Sequence, residues 1–267
     1  LTCRFMLNLL VCYVKDFFSL VERKCCVCMV SDFFYPNLGG IETHIFELSK
    51  QLVKKGFKVI IVTNSYNNRH GIRWMANGIK VYYLPFYVFI DVVSIPNIIG
   101  SVPLCRNILF REKVDIVHGH QVFSQQFILH AKSLNIKTIY TDHSLYSFSN
   151  NGCIHVNKIL KHCMLDVDHS ICVSHTNREN LVLRTEINPY KTSVISNALD
   201  SSKFIPCISK RPKWPRINII VISRLTERKG THLIAQIIPI ICNKYSFIKF
   251  IIGGDEKDTV YTIESFY

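Results

Sequence analysis

Acidic side chains are scarce in this chain: Asp and Glu number 19 in 267 residues against 32 Lys and Arg, a formal charge of +13. The pI near 9.3 selects phosphates and anionic lipid headgroups as partners. The basic residues form no long block and no patch interleaved with aromatics, which disfavours nucleic acid. No G-x-G-x-x-G run is present, which disfavours a nicotinamide dinucleotide. The first 24 residues contain only a short apolar stretch, Phe5 to Val14, interrupted by Lys15 and Asp16; it is too short to cross a bilayer. Residues 1–24 therefore read as a divergent N-terminal segment without an assigned function. The 11 cysteines fall at irregular spacings, several inside apolar runs, as with Cys25, Cys26 and Cys28 or Cys172. They read as reduced core thiols facing a reducing compartment, and support neither a zinc site nor a secreted disulfide framework.

Hydrophobic residues make up 48% and charged residues 19%, with a mean hydropathy of +0.18, the composition of a folded globular protein. From Cys25 the order is regular. Cys26 to Ser31 reads as a buried strand, and a Gly-bearing loop leads to a helix with Ile41, Ile45, Leu48 and Leu52 at helical spacing and Gly56 as its stop. A strand, Phe57 to Thr63, follows, so the unit is β-α-β and implies a parallel sheet. Further strands are expected at Ile79–Leu84, Asp115–His118, Ile136–Thr141 and His169–Val173, with helices near Val102–Glu112, Phe123–Ser133 and Thr176–Glu186. Residues 25–204 thus read as one doubly wound domain. Residues 205–216, with Pro206, Pro212 and Pro215, read as a linker. The pattern restarts with a strand Ile217–Ser223, a helix Thr231–Cys242 and a strand Phe247–Ile252, ending in Gly253 and Gly254. Residues 217–254 read as a truncated second α/β domain, because about fifty residues after the linker are too few for a whole one. Residues 255–267 read as a divergent tail. Two such domains would hold a ligand in a cleft at their strand C-terminal ends.

The candidate chemistry lies at those ends. Gly39 and Gly40, between the first strand and its helix, would offer backbone N–H groups and the positive helix end to an anion; a plain tight turn is the competing reading. Arg224 and Lys229 hold the matching place in the second unit, where two cations can neutralise a departing diphosphate. A solvated basic loop is the alternative. His118 and His120 share a strand face, as metal ligands do, but no third ligand is evident, so polar lining of a cleft is preferred to a metal. Asp142 and His143 form a candidate hydrogen-bonding dyad at the same sheet edge, or Asp142 simply caps the loop.

The run from Met29 to His44, Met-Val-Ser-Asp-Phe-Phe-Tyr-Pro-Asn-Leu-Gly-Gly-Ile-Glu-Thr-His, resembles the opening of the PIG-A family, catalytic subunits of phosphatidylinositol N-acetylglucosaminyltransferase. Agreement continues through Lys58–Thr63, Val81–Pro85, Thr141–Leu145, Ile171–Ser174, Ser223–Leu225 and Arg228–Gly230, and the likeness extends from about Cys25 to Gly254. The resemblance implies a GT-B fold of two Rossmann-like domains and transfer of N-acetylglucosamine from its UDP form to phosphatidylinositol with retention, the first step of glycosylphosphatidylinositol (GPI) anchor synthesis. It implies further subunits of a transferase complex and a place on the cytoplasmic face of the endoplasmic reticulum membrane. Neither a cofactor nor a metal is implied. By the same analogy His143 lies beside the reacting sugar, Gly39 and Gly40 lie near the donor phosphates, and Arg224 with Lys229 grips the diphosphate. His120, Asp142 and Asn197 join them as substrate contacts.

Two departures stand beside these matches. The family's Pro-Asn-Ala-Val-Asp segment appears as Ser196-Asn197-Ala198-Leu199-Asp200, and the likeness stops after Gly254, short of the family's E-x7-E region and membrane anchor. Glu256 and Glu264 have that spacing but not its context. The chain therefore reads as a fragment. A related transferase with another donor or acceptor, and a non-catalytic subunit of a membrane complex, remain open.

Overall fold

The computed structural model describes residues 24–37, 39–65, 68–86, 88–89, 92–93, 100–121, 124–145, 151–225 and 227–254. The N-terminal apolar stretch and the tail carrying Glu256 and Glu264 lie outside the described residues. The chain divides into two compact units, with the boundary between Leu199 and Asp200.

The first unit alternates strand and helix: β1 (Cys26–Val30), α1 (Gly40–Lys54), β2 (Lys58–Asn64), β3 (Gly71–Trp74), β4 (Lys80–Leu84), then two-residue strands β5 (Val88–Phe89) and β6 (Val92–Val93). It continues with α2 (Val102–Arg111), β7 (Ile116–His120), α3 (Ser124–Ser133), β8 (Lys137–Asp142), α4 (Asn151–Met164), β9 (His169–Cys172), α5 (His175–Thr185) and β10 (Thr192–Val194). Eight strands form one sheet in the order β10-β9-β8-β7-β1-β2-β4-β3. Every neighbouring pair is parallel except the antiparallel β3–β4 edge. β1 runs between β2 and β7, pairing Met29 with Ile61 on one side and with His118 on the other.

Side-chain alternation sorts the strands into two cores. Cys26, Cys28, Val30, Val117 and Tyr140 face one core with Leu109, Phe127, Leu160 and Leu181 of α2 to α5. Val27, Met29, Ile116, Ile139 and Ile171 face the other, with Ile45, Leu48 and Leu52 of α1. The sheet is therefore covered on both faces, which suits its continuous apolar strands.

At the N-terminal edge of the strands, Glu112 follows α2 and binds Lys58 at 2.7 Å, Lys80 and the Tyr82 hydroxyl. Burial pushes its carboxyl up, but the hydrogen bonds from Lys58, Lys80 and Tyr82 outweigh that and hold it at about 2. This cluster ties the end of α2 to the starts of β2 and β4.

The second unit contains β11 (Ile217–Ile222), α6 (Thr231–Lys244) and β12 (Ile248–Gly253), with β11 and β12 parallel. Gly230, just before α6, has φ +74, a conformation for which glycine is the natural residue. Among the described residues no helix is long and apolar enough to cross a membrane.

The expected strands and helices are present within one or two residues of the sequence reading. Strand β7 runs two residues further than expected and takes in His120. Helix α4 was not expected, because Asn151-Gly152 at its start is a turn signal that outweighs the apolar positions behind it. The short edge strands β3 and β10 were also missed, since three or four residues at a sheet edge carry almost no periodicity.

Candidate active site

The order of the strands reverses at β1: the chain moves outward through β2 and β4, then resumes at β7 on the opposite side. Ligands in open α/β sheets bind at the strand C-terminal ends beside such a reversal. Four histidines gather there. His44 lies in the second turn of α1, His118 and His120 lie at the end of β7, and His143 follows β8. His118 and His120 share a face because they are two residues apart on a strand, and their rings are 4.3 Å apart.

His120 Nδ1 and His143 Nε2 are 3.0 Å apart in a hydrogen bond. The His44 ring packs edge-on against those of His143 and His120, at centroid distances of 5.1 and 5.7 Å. His118 Nε2 meets the Thr141 hydroxyl at 2.7 Å. His44 Nε2, His118 Nδ1, His120 Nε2 and His143 Nδ1 are buried and have no hydrogen-bond partner among the described residues. A buried polar atom left with no partner at all costs about 1–3 kcal/mol, so these nitrogens are places where a water or a ligand would be stabilising.

Burial lowers the His44 imidazole to about 4. Burial first, then repulsion from His44 and His143, takes His118 to about 3. Burial and then repulsion from His44 take His143 to about 3, and burial with three histidine neighbours holds His120 well below its usual range. All four are neutral at pH 7. They can offer hydrogen bonds and lone pairs, and they supply no positive charge.

The expected Asp142–His143 dyad does not form. Asp142 points to the opposite face of the sheet, where its carboxylate meets Arg184 at 2.8 Å and Asn177 at 3.1 Å, both from α5. Strand alternation is the reason: consecutive residues turn to opposite faces. Burial nonetheless raises the Asp142 carboxyl above its ordinary value, with Arg184 opposing. Asn177 also donates to the Ser144 carbonyl at 3.2 Å. Asp142 thus anchors the segment that carries His143, rather than touching its ring.

Gly119, between the two strand histidines, is required by packing. A Cβ there would lie 2.6 Å from Ser124 Oγ and 2.9 Å from Ile128 Cδ1 of α3. Gly39 caps α1 with extended backbone, and a Cβ on it would fall 2.3 Å from Glu42 Oε2. The Glu42 carboxylate is buried and accepts from Asn37 Nδ2 at 2.6 Å. The positive end of α1 therefore already faces an anion of its own chain. Gly40 has open space around it.

Asn197 is exposed beyond β10 and is not part of the histidine cluster. In the second unit, Arg224 and Lys229 are exposed on the segment between β11 and α6, and neither makes an ion pair among the described residues.

No third ligand beside His118 and His120 is evident in the sequence, and the structure brings His44 to His120 and His143. The signal was in the helix: with Ile41, Ile45, Leu48 and Leu52 inward, His44 falls on the same stripe, at the end nearest the strand termini.

Residues 64–150 match the family model described as PIGA (GPI anchor biosynthesis). The chain is 47% identical over 232 residues to a phosphatidylinositol N-acetylglucosaminyltransferase subunit of Arabidopsis thaliana, covering 86% of this chain and 52% of that protein. It is also 47% identical to the Homo sapiens protein of the same name, covering 86% of this chain and 48% of that protein. The chain thus spans about half the length of the curated relatives it matches. Among solved structures it resembles sucrose-phosphate synthase from Thermosynechococcus elongatus, with a TM-score of 0.64 at 16% identity over 87% of this chain and 71% of that one. That likeness bears on fold alone. The α/β, GT-B fold class and the resemblance read from the motifs are borne out.

Proposed function

We propose that this chain serves the transfer of N-acetylglucosamine from UDP-N-acetylglucosamine to phosphatidylinositol, the first step in building a GPI anchor. The observation that carries this reading is the 47% identity, over 86% of the chain, to proteins named for that transferase. In this reading the chain works with other subunits at the cytoplasmic face of the endoplasmic reticulum membrane, where its basic surplus favours anionic headgroups.

The chemistry asks for retention without a glycosidase-type carboxylate pair. The leaving diphosphate oxygen takes the proton of the incoming inositol hydroxyl on the same face of the sugar, and the protein supplies position and charge. Arg224 and Lys229 meet the charge of the diphosphate, a role that needs no metal. His143 stays neutral and hydrogen-bonds the reacting sugar, with His120 fixing its ring. Asp142 acts as a positioning residue through Asn177 and the Ser144 carbonyl. Gly39 and Gly40 allow close approach of the donor to the backbone, and the Glu42 carboxylate beside them suits a sugar hydroxyl better than a phosphate. Asn197 is a further substrate contact.

The test is a chimera in which residues 25–254 replace the matched segment of the human relative, expressed in cells lacking that relative. Membranes supplied with radiolabelled UDP-N-acetylglucosamine should form lipid-linked N-acetylglucosamine. A chimera that assembles and transfers nothing, or uses only another UDP-sugar, refutes the proposal. In the same chimera Arg224→Ala should reduce transfer about 100-fold; unchanged turnover removes Arg224 from the diphosphate.

A further inference from the structure

Three neutral imidazoles from three separate elements converge at the end of β7, and together they make a donor set. We propose that His44, His120 and His143 form a site for a borderline divalent cation of the zinc class, with a fourth position open to water or a ligand oxygen.

One ring nitrogen of each residue lies within 4.8 Å of one from each of the other two. The pair already in contact, His120 Nδ1 and His143 Nε2, is 3.0 Å apart. Two ligands of a tetrahedral zinc ion, each about 2.0–2.1 Å from the metal, stand about 3.3 Å apart, so this pair already has nearly the right separation and its rings need to tilt from facing each other to facing the metal. His44 has the larger distance to close, and its residue is less buried than His120. His120 is fully buried, and its second ring nitrogen has no hydrogen-bond partner among the described residues. The convergence of one nitrogen from each of three rings is what a cation with imidazole ligands requires.

The donor set also says which cations are refused. Asp142 faces the other side of the sheet, where it pairs with Arg184, and Glu42 is bound to Asn37, so among the described residues no carboxylate joins the three nitrogens. Magnesium, calcium and manganese want oxygen donors, whereas zinc, cobalt, nickel and copper accept imidazole. Binding replaces the His120–His143 hydrogen bond. The ring that carried its proton moves it to its other nitrogen, so no proton is lost.

Such a cation is distinct from a diphosphate counterion. It would take His143 away from the sugar and so inhibit transfer, a consequence that rests on the proposed transferase reading. The site itself does not rest on it.

The direct test titrates the whole 267-residue chain with zinc by calorimetry and with cobalt(II) by visible absorption. We expect one equivalent of zinc, a tetrahedral cobalt(II) spectrum and no competition from magnesium. His44→Ala and the milder His44→Gln should each weaken zinc at least about 10-fold, with an unchanged circular dichroism spectrum, while His175→Ala, on an exposed residue, should not. Absence of stoichiometric binding overturns the proposal. So does zinc affinity that survives both His44 variants and disappears on thiol alkylation, which would assign the metal to cysteines. In the chimera, zinc should suppress transfer. Cation binding with no transfer at any zinc concentration would leave the site standing and refute the transferase reading.

Discussion

The two units spell strand–helix–strand in similar letters and bury it very differently. In the first, all five residues of β1 are buried and α1 presses Ile45, Leu48 and Leu52 into the sheet. In the second, Ile220 and Ile222 of β11 are 59% and 82% exposed, and Leu233, Ile237 and Ile240 of α6 are also exposed. An apolar pattern specifies which face wants cover, but cover comes from neighbouring layers. The two strands and one α-helix among the described residues of the second unit supply too few. The first unit has an eight-stranded sheet with helices on both faces, so its polar groups can be buried and paired there.

The largest effect should come from removing an ion pair inside the first unit. Arg184→Ala leaves Asp142 buried without its cation, and urea denaturation should report a loss of about 3–5 kcal/mol. A loss below about 1 kcal/mol would mean that the pair is not essential to the first unit, and that its depth of burial sets it less apart from the second.

A smaller effect concerns acid. In the folded chain Glu112 is held at about 2, below the ordinary glutamate value of 4.5 that it has when unfolded. Its contribution is therefore complete above about pH 4.5 and is lost as pH falls through the window down to about 2. Stability measured by urea between about pH 6 and pH 3 should decline less steeply in Glu112→Gln than in the parent chain. Parallel slopes would show that Lys58 and Lys80 do not stabilise the carboxylate.

The smallest effect belongs to the second unit. Ile222→Ser should change stability by no more than about 0.5 kcal/mol, because that side chain is already in solvent. A large loss would mean that the face is covered in solution.

The alternating fold was legible because the strands at Cys26, Phe57 and Ile136 carry strong apolar runs bounded by polar turns. Helix α4 was not, since its first residues signal a turn while its inward positions, such as Val156 and Leu160, are fixed by contacts distant in sequence. The site was legible residue by residue but not in its pairings. His120 and His143 were visible as strand-end groups, yet adjacency in sequence suggested Asp142 as the partner of His143. Its true partner lies 23 residues away and is brought there by parallel pairing of β7 with β8. His44 required knowing both the helix face and which strand it covers.

Gly119 gives the histidine cluster a fixed reference point. A Cβ at this position would run into the Ser124 and Ile128 side chains of α3, so any larger residue at the end of β7 has to displace them. Any attempt to retune this corner for another ligand has its adjustable part on α1, at His44, and its immovable part on the strand.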